Sequence, residues 1–132
     1  MKKIIAISLL IALLAPTTSA QAATKSLNNK GNKSSCKNIK INYKSEVMSK
    51  WSNGLASDQD VLKEIDLNIN MLTAKQKSAT GKIKTAVASW ITSEQNTKIA
   101  LTEKNVTAIT SAMSLKISSI TNFDKLCKSI EK

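Results

Sequence analysis

Cys36 and Cys127 are the residues of this chain best equipped for chemistry, and the chemistry they fit is a structural disulfide. They are the only cysteines, and an even count is what a covalently stapled exported domain shows. A redox site would present Cys-x-x-Cys, which is missing. A metal site would need further ligands, and the chain has no histidine. Both sulfurs are therefore expected to be structural.

Other constellations with chemical potential are weaker. Ser34-Ser35-Cys36-Lys37 fits the Ser-x-x-Lys pattern of penicillin-recognising enzymes, but their remaining motifs are missing. Asp58, Asp60, Glu64 and Asp66 are spaced closely enough to evoke a calcium loop. The central glycine and terminal glutamate of such a loop are absent, so the acids read as complementing a helix N-terminus. Without histidine, the usual general base and proton shuttle are lacking. The expectation is a non-enzyme with no cofactor and no metal.

These residues sit behind an export signal. Lys2 and Lys3 precede an apolar run over residues 4–15, then Pro16 and small residues ending in Ala20-Gln21-Ala22. About 12 apolar residues are too few for a bilayer, which takes roughly 20. Residues 1–22 therefore read as a signal peptide, and the remainder as a periplasmic or secreted bacterial protein that no longer spans a membrane. Residues 23–35 read as a disordered lead-in rich in Lys, Asn and Ser. Residues 36–132 read as a single helical domain.

The net charge of +11 falls to +9 without Lys2 and Lys3. It concentrates early, in Lys25, Lys30, Lys33, Lys37, Lys40, Lys44 and Lys50, set against Glu46 alone. These lysines are the candidate contacts to a polyanionic surface, and the contact expected is weak and electrostatic. The chain has no arginine, the residue best shaped for bidentate phosphate and base recognition. Specific nucleic-acid binding is therefore not expected.

The elements that must position the cysteines are helices. Beyond Pro16 the chain is proline-free, and beyond residue 35 it holds only Gly54 and Gly81. Tyr43, Val47 and Trp51 recur every four residues, and Leu55, Leu62, Ile65, Ile69 and Leu72 follow in steps compatible with a helix. Ile99, Val106, Ile109, Met113, Ile117, Ile120, Phe123, Cys127 and Ile130 then extend one apolar stripe. Short runs of period two, at Ile39, Ile41 and Tyr43 and at Leu67, Ile69 and Met71, compete as strands. Ser57 with Asp60, Thr73 with Gln76, Thr92 with Gln95 and Thr102 with Asn105 are candidate N-caps. Residues 70–81 either break a helix or carry it through, since Leu62, Ile69, Gln76, Ile83 and Trp90 keep a seven-residue spacing across them.

A disulfide requires Cα atoms within about 7 Å. The fold expected is all-α, a small antiparallel helical bundle closed by one disulfide. Four helices near 37–54, 57–72, 74–96 and 102–131 would return Cys127 to the end where Cys36 starts. The alternative is a long hairpin, 57–96 against 99–131, with residues 36–56 folded back along it.

Leu72-Thr73-Ala74-Lys75-Gln76 resembles the LTxxQ motif of small periplasmic helical chaperones of the Spy and CpxP type. Leu101-Thr102-Glu103-Lys104-Asn105 departs from the motif at its last position. The resemblance spans about ten residues and implies an exported, basic, all-helical chaperone-like protein. It assigns no functional residue here. Three functions are therefore in view. The first is an accessory, assembly or chaperone-like partner of an envelope system such as a pilus, secretion or conjugation apparatus. The second is an immunity or inhibitor protein blocking a toxin or hydrolase. The third is a cationic binder of anionic surfaces.

Overall fold

The computed structural model describes residues 25–131, with side-chain environments from Lys30 to Ile130. The expected signal peptide, residues 1–22, and the side chain of Lys25 lie outside that description. Five helices follow one another: α1 (Lys25–Asn42), α2 (Glu46–Ser52), α3 (Asp58–Gln76), α4 (Gly81–Thr102) and α5 (Val106–Glu131). No strand occurs among the described residues. The two period-two runs fall in or beside helices, with Ile39 fully buried near the end of α1 and Leu67 exposed on α3.

The largest departure from expectation is α1. Residues 25–35 of the segment read as a disordered lead-in belong to a helix that begins well ahead of Cys36. Its inward face is polar, and that polarity has a use. Asn32 Oδ1 accepts the Thr80 N–H at 2.8 Å, and Ser35 Oγ donates to the Lys75 carbonyl at 3.0 Å. Ser35 also shares a 2.7 Å hydrogen bond with Ser78. α1 thus satisfies backbone groups left open where α3 ends and α4 begins. The polarity of Asn32 and Ser35 serves hydrogen bonding to that turn and not solvation.

Gly31 allows this approach. A Cβ there would stand 2.5 Å from the Ser78 carbonyl oxygen, closer than real contacts permit. Within a helix Gly→Ala ordinarily stabilises by about 0.5–1 kcal/mol. Here Gly31→Ala is expected to reverse that sign and lower the midpoint of urea unfolding. A raised midpoint would show that α1 does not press against the turn.

The helix expected over 37–54 is divided by residues 43–45, because α3 offers hydrogen bonds that compete with helix continuation. Asn68 accepts the Lys44 N–H at 3.0 Å and donates to the Lys44 carbonyl at 2.7 Å. Glu64 then accepts the Val47 and Met48 N–H groups at 2.9 and 3.1 Å, capping α2 from another helix.

Residues 77–80 do break the chain between α3 and α4. Gly81 takes φ +56°, in the left-handed region that an L side chain rarely adopts, so it starts a helix instead of interrupting one. The seven-residue spacing across the turn is coincidental. Of the four expected N-caps, only Ser57 with Asp60 forms, and it forms as a reciprocal capping box. Thr73 and Thr92 lie inside helices, and Thr102 is the last residue of α4. The side chain that caps α5 is Asn105, which accepts the Ala108 N–H at 3.1 Å.

The last stripe is also corrected. Lys104 at φ +55° separates α4 from α5, so Ile99 and Val106 belong to different helices and both are exposed. On α5 the buried positions are Ala112, Lys116, Phe123 and Cys127, while Ile117 faces outward.

α4 packs along α5 and α3, α1 packs on α5 and α3, and α2 lies on α3. The principal core gathers Ile39, Leu72, Ile83, Val87, Trp90 and Phe123 around the two cysteines. Trp90 lies 4.7 Å from Tyr43 and 5.3 Å from Phe123, centroid to centroid, in tilted arrangements that favour aromatic pairs. A second cluster of Val61, Ile65 and Leu101 receives Val47, Met48 and Trp51. Cys36 and Cys127 are joined, with Cα atoms 5.8 Å apart, as expected. Asp124 stands opposite Lys40 at 3.3 Å. Rising numbers on α1 thus meet falling numbers on α5, and the two helices run in opposite directions.

Candidate functional surfaces and a buried polar centre

The two cysteines are joined in the disulfide and buried in the principal core, 1% and 0% exposed. Ser34 and Lys37 lie on exposed turns of α1 beside the disulfide, and the Ser34 hydroxyl accepts from Asn38 Nδ2 at 3.2 Å.

The four acids at the start of α3 are dispersed among separate partners. Asp58 accepts the Trp51 indole N–H at 2.7 Å, Asp60 closes the cap with Ser57, Glu64 caps α2, and Asp66 pairs with Lys98 at 2.7 Å. The hydrogen bonds from Ser57 hold the Asp60 carboxyl below the usual carboxylate range. Among the described residues no group of three or more His, Cys, Asp or Glu side chains is placed to hold a metal.

The most unusual chemistry lies inside the protein, where sequence reasoning did not place it. Glu94 is fully buried. Its Oε1 accepts the Tyr43 hydroxyl at 2.7 Å and the Trp90 indole N–H at 3.2 Å. Its Oε2 forms an ion pair with Lys116 Nζ at 3.1 Å, and Lys116 is itself buried. One carboxylate therefore ties the end of α1 and the middle of α5 to α4. The signal for Lys116 is its place four residues after Ala112 and seven before Phe123, on a face read instead through Ile117.

Burial, reinforced by the charge and hydrogen bond of Glu94, pushes the Tyr43 hydroxyl well above its ordinary 10.0. The unfolded chain ionises near 10 and the folded one does not, so the unfolded state loses the proton first. This contribution to stability is complete below about pH 10 and is lost as pH rises from there towards the folded value. Tyr43 is the only tyrosine, so tyrosinate absorbance reports it alone. A spectrophotometric titration is expected to show no tyrosinate until the protein unfolds. Reversible ionisation near 10 in the folded protein would contradict the buried hydrogen bond.

Two features face outward. The first is an open cleft of about 1170 Å³ between residues 43–56 and α3. Leu55 and Leu67, 76% and 58% exposed, line it together with Val47, Lys44 and Lys63. The second is a row of ammonium groups on α1. Lys30, Lys33, Lys37 and Lys40 follow helical steps of three and four, while Lys44 lies beyond the helix and lines the cleft. Of the seven lysines expected to act together, the structure aligns these four. Lys50 is elsewhere, on α2, paired with Glu46 at 3.1 Å. The Lys25 side chain is outside the described residues.

Leu72-Thr73-Ala74-Lys75-Gln76 lies in the last turns of α3, where Leu72 enters the core and the Lys75 carbonyl receives Ser35. These residues build the α3–α4 turn. No helix among the described residues is long and apolar enough to cross a membrane. Comparison with protein-family models, with curated proteins and with solved structures finds no match to this chain.

Proposed function

We propose that this is an exported, non-catalytic helical protein of the bacterial envelope that acts by binding another protein, as an accessory, assembly or chaperone-like factor. The observation that carries this reading is the open cleft edged by Leu55 and Leu67. Large apolar side chains exposed side by side on a small protein mark a surface that gains from being covered. Lys44, Lys50 and Lys63 and the acids Glu46, Asp60 and Glu64 line it together, so its formal charges balance and apolar contact leads. Lys44 and Lys63 make no ion pair among the described residues, which suits carboxylates at those points of an amphipathic segment of a second exported protein.

We read the scaffold behind the cleft as a small antiparallel bundle of α1, α3, α4 and α5, closed by the disulfide. α2 forms one wall of the cleft. The export signal over residues 1–22 and the disulfide support an envelope location.

The test is a photo-crosslinking residue at position 67, with position 125 on α5 as the control, in cells expressing the full chain. The expected result is one discrete adduct from position 67 that falls at least tenfold when Leu55→Asp is added. Exposed Leu55 leaves the core untouched by that change. Equal adducts from both positions, or adducts indifferent to Leu55→Asp, would refute a cleft-specific partner.

A further inference from the structure

The geometry points to the outer face of α1 as a docking site for an anionic phospholipid surface. This is separate from the cleft and does not depend on its partner. α1 presents Lys30, Lys33, Lys37 and Lys40 along about 15 Å, at 1.5 Å of rise per residue. All four are exposed, and the helix contains no acidic residue. Lys40 is engaged with Asp124 at one edge, and Lys128 shares that carboxylate at 2.9 Å. Lys30, Lys33 and Lys37 make no carboxylate pair among the described residues. Three neighbouring ammonium groups with no carboxylate partner among the described residues make a concentrated field.

The opposite face explains why the line points outward. Asn32, Ser35, Cys36 and Ile39 are buried, and the disulfide fixes the rotation of α1 about its own axis. Helical geometry then sets Lys30 and Lys37 away from the core, on the same side as Ile41. Ile41 is 68% exposed and packs on neither core cluster.

That isoleucine separates lipid from nucleic acid. A large apolar side chain among lysines suits the interface between headgroups and acyl chains, where apolar contact and charge act together. Single-stranded nucleic acid calls for aromatic platforms, and phosphate forks call for arginine. α1 contains no aromatic residue and the chain no arginine. Lysines act as point charges on phosphate headgroups without needing a defined geometry.

The experiment is sedimentation of the full exported chain with vesicles of phosphatidylglycerol and phosphatidylcholine, against vesicles of phosphatidylcholine alone. Binding to the anionic vesicles is expected at 50 mM salt and to fall steeply by 200 mM, while neutral vesicles take up little. The variant K30Q/K33Q/K37Q is expected to lose about two orders of magnitude in partition coefficient. A control of equal charge change on α3 to α5, K63Q/K84Q/K125Q, should lose less than tenfold. Lys→Gln barely changes helix propensity, and circular dichroism verifies that the variants fold. Ile41→Ser should weaken binding severalfold without altering its salt dependence. Equal losses in the two triple variants would overturn the assignment to α1. Equal binding to neutral vesicles would overturn the role of charge. Duplex DNA bound as tightly as the anionic vesicles, with Ile41→Ser having no effect on either, would overturn the lipid as the ligand.

Discussion

Replacing both cysteines, as C36A/C127A, is expected to lower the stability of the protein by about 4–5 kcal/mol. The disulfide joins residues 91 apart in sequence, so its removal frees almost the whole described chain in the unfolded state. Loop-closure entropy grows slowly with length, and a loop this long lies near the upper end of what one disulfide contributes. For a domain of this size, a loss of that order lowers the melting temperature by roughly 15 °C or more. It is also a large share of the 5–15 kcal/mol that separates folded from unfolded states in typical domains. Local effects should follow the same order. α1 touches the rest of the protein through few large apolar residues, chiefly Ile39, and through polar contacts at Asn32 and Ser35. Hydrogen exchange of residues 30–42 should therefore accelerate more than that of α4. A double variant within 1 kcal/mol of the parent protein would show that the packing of α1 needs no covalent closure.

The second large effect is expected at Glu94. Glu94→Ala removes the acceptor of Tyr43 and Trp90 and the counter-charge of Lys116 together. Breaking a buried ion pair from one side typically costs about 3–5 kcal/mol, because the remaining charge stays in a poorly solvated place. Glu94→Gln should cost somewhat less, since its carbonyl oxygen can still accept from Tyr43 and Trp90 while Lys116 is left without a carboxylate. Lys116→Met strands the carboxylate instead. The double variant E94Q/K116M removes both charges and keeps the hydrogen bonds, so it should recover to within about 1–2 kcal/mol of the parent. Urea unfolding of the four proteins measures this cycle. Strict additivity of the single losses would mean that the two side chains are not coupled.

The parts of this fold legible in the sequence were those governed by backbone chemistry and by apolar period. The absence of proline after residue 16, and the repeats around Ile65, Leu72 and Phe123, carried the all-helical reading. The even cysteine count carried the disulfide. The capping box at Ser57 was legible because its two halves are three residues apart. What could not be read were elements whose inward faces are polar. Asn32 and Ser35 are buried for the turn they bind, and that turn lies more than 40 residues away. The division at residues 43–45 depends on Glu64 and Asn68, and those side chains look like ordinary surface residues of α3 until α2 is laid across them. Apolar pattern alone also misassigned α5, since Ile117 and Lys116 differ by one position and exchange the places their chemistry predicts. The lysine row was visible as composition. Its spacing of three and four residues became meaningful once residues 30–42 were a helix.

One buried disulfide pins α1, with its lysine row outward, onto α5. Thiol accounting on the protein taken directly from cells tests this most directly. The protein is trapped with an alkylating reagent at the moment of lysis, then denatured, reduced and labelled with a second reagent. The expected result is no first label, two second labels, and a cross-linked peptide joining Cys36 to Cys127 before reduction. First label on either cysteine in the folded cellular protein would contradict the account.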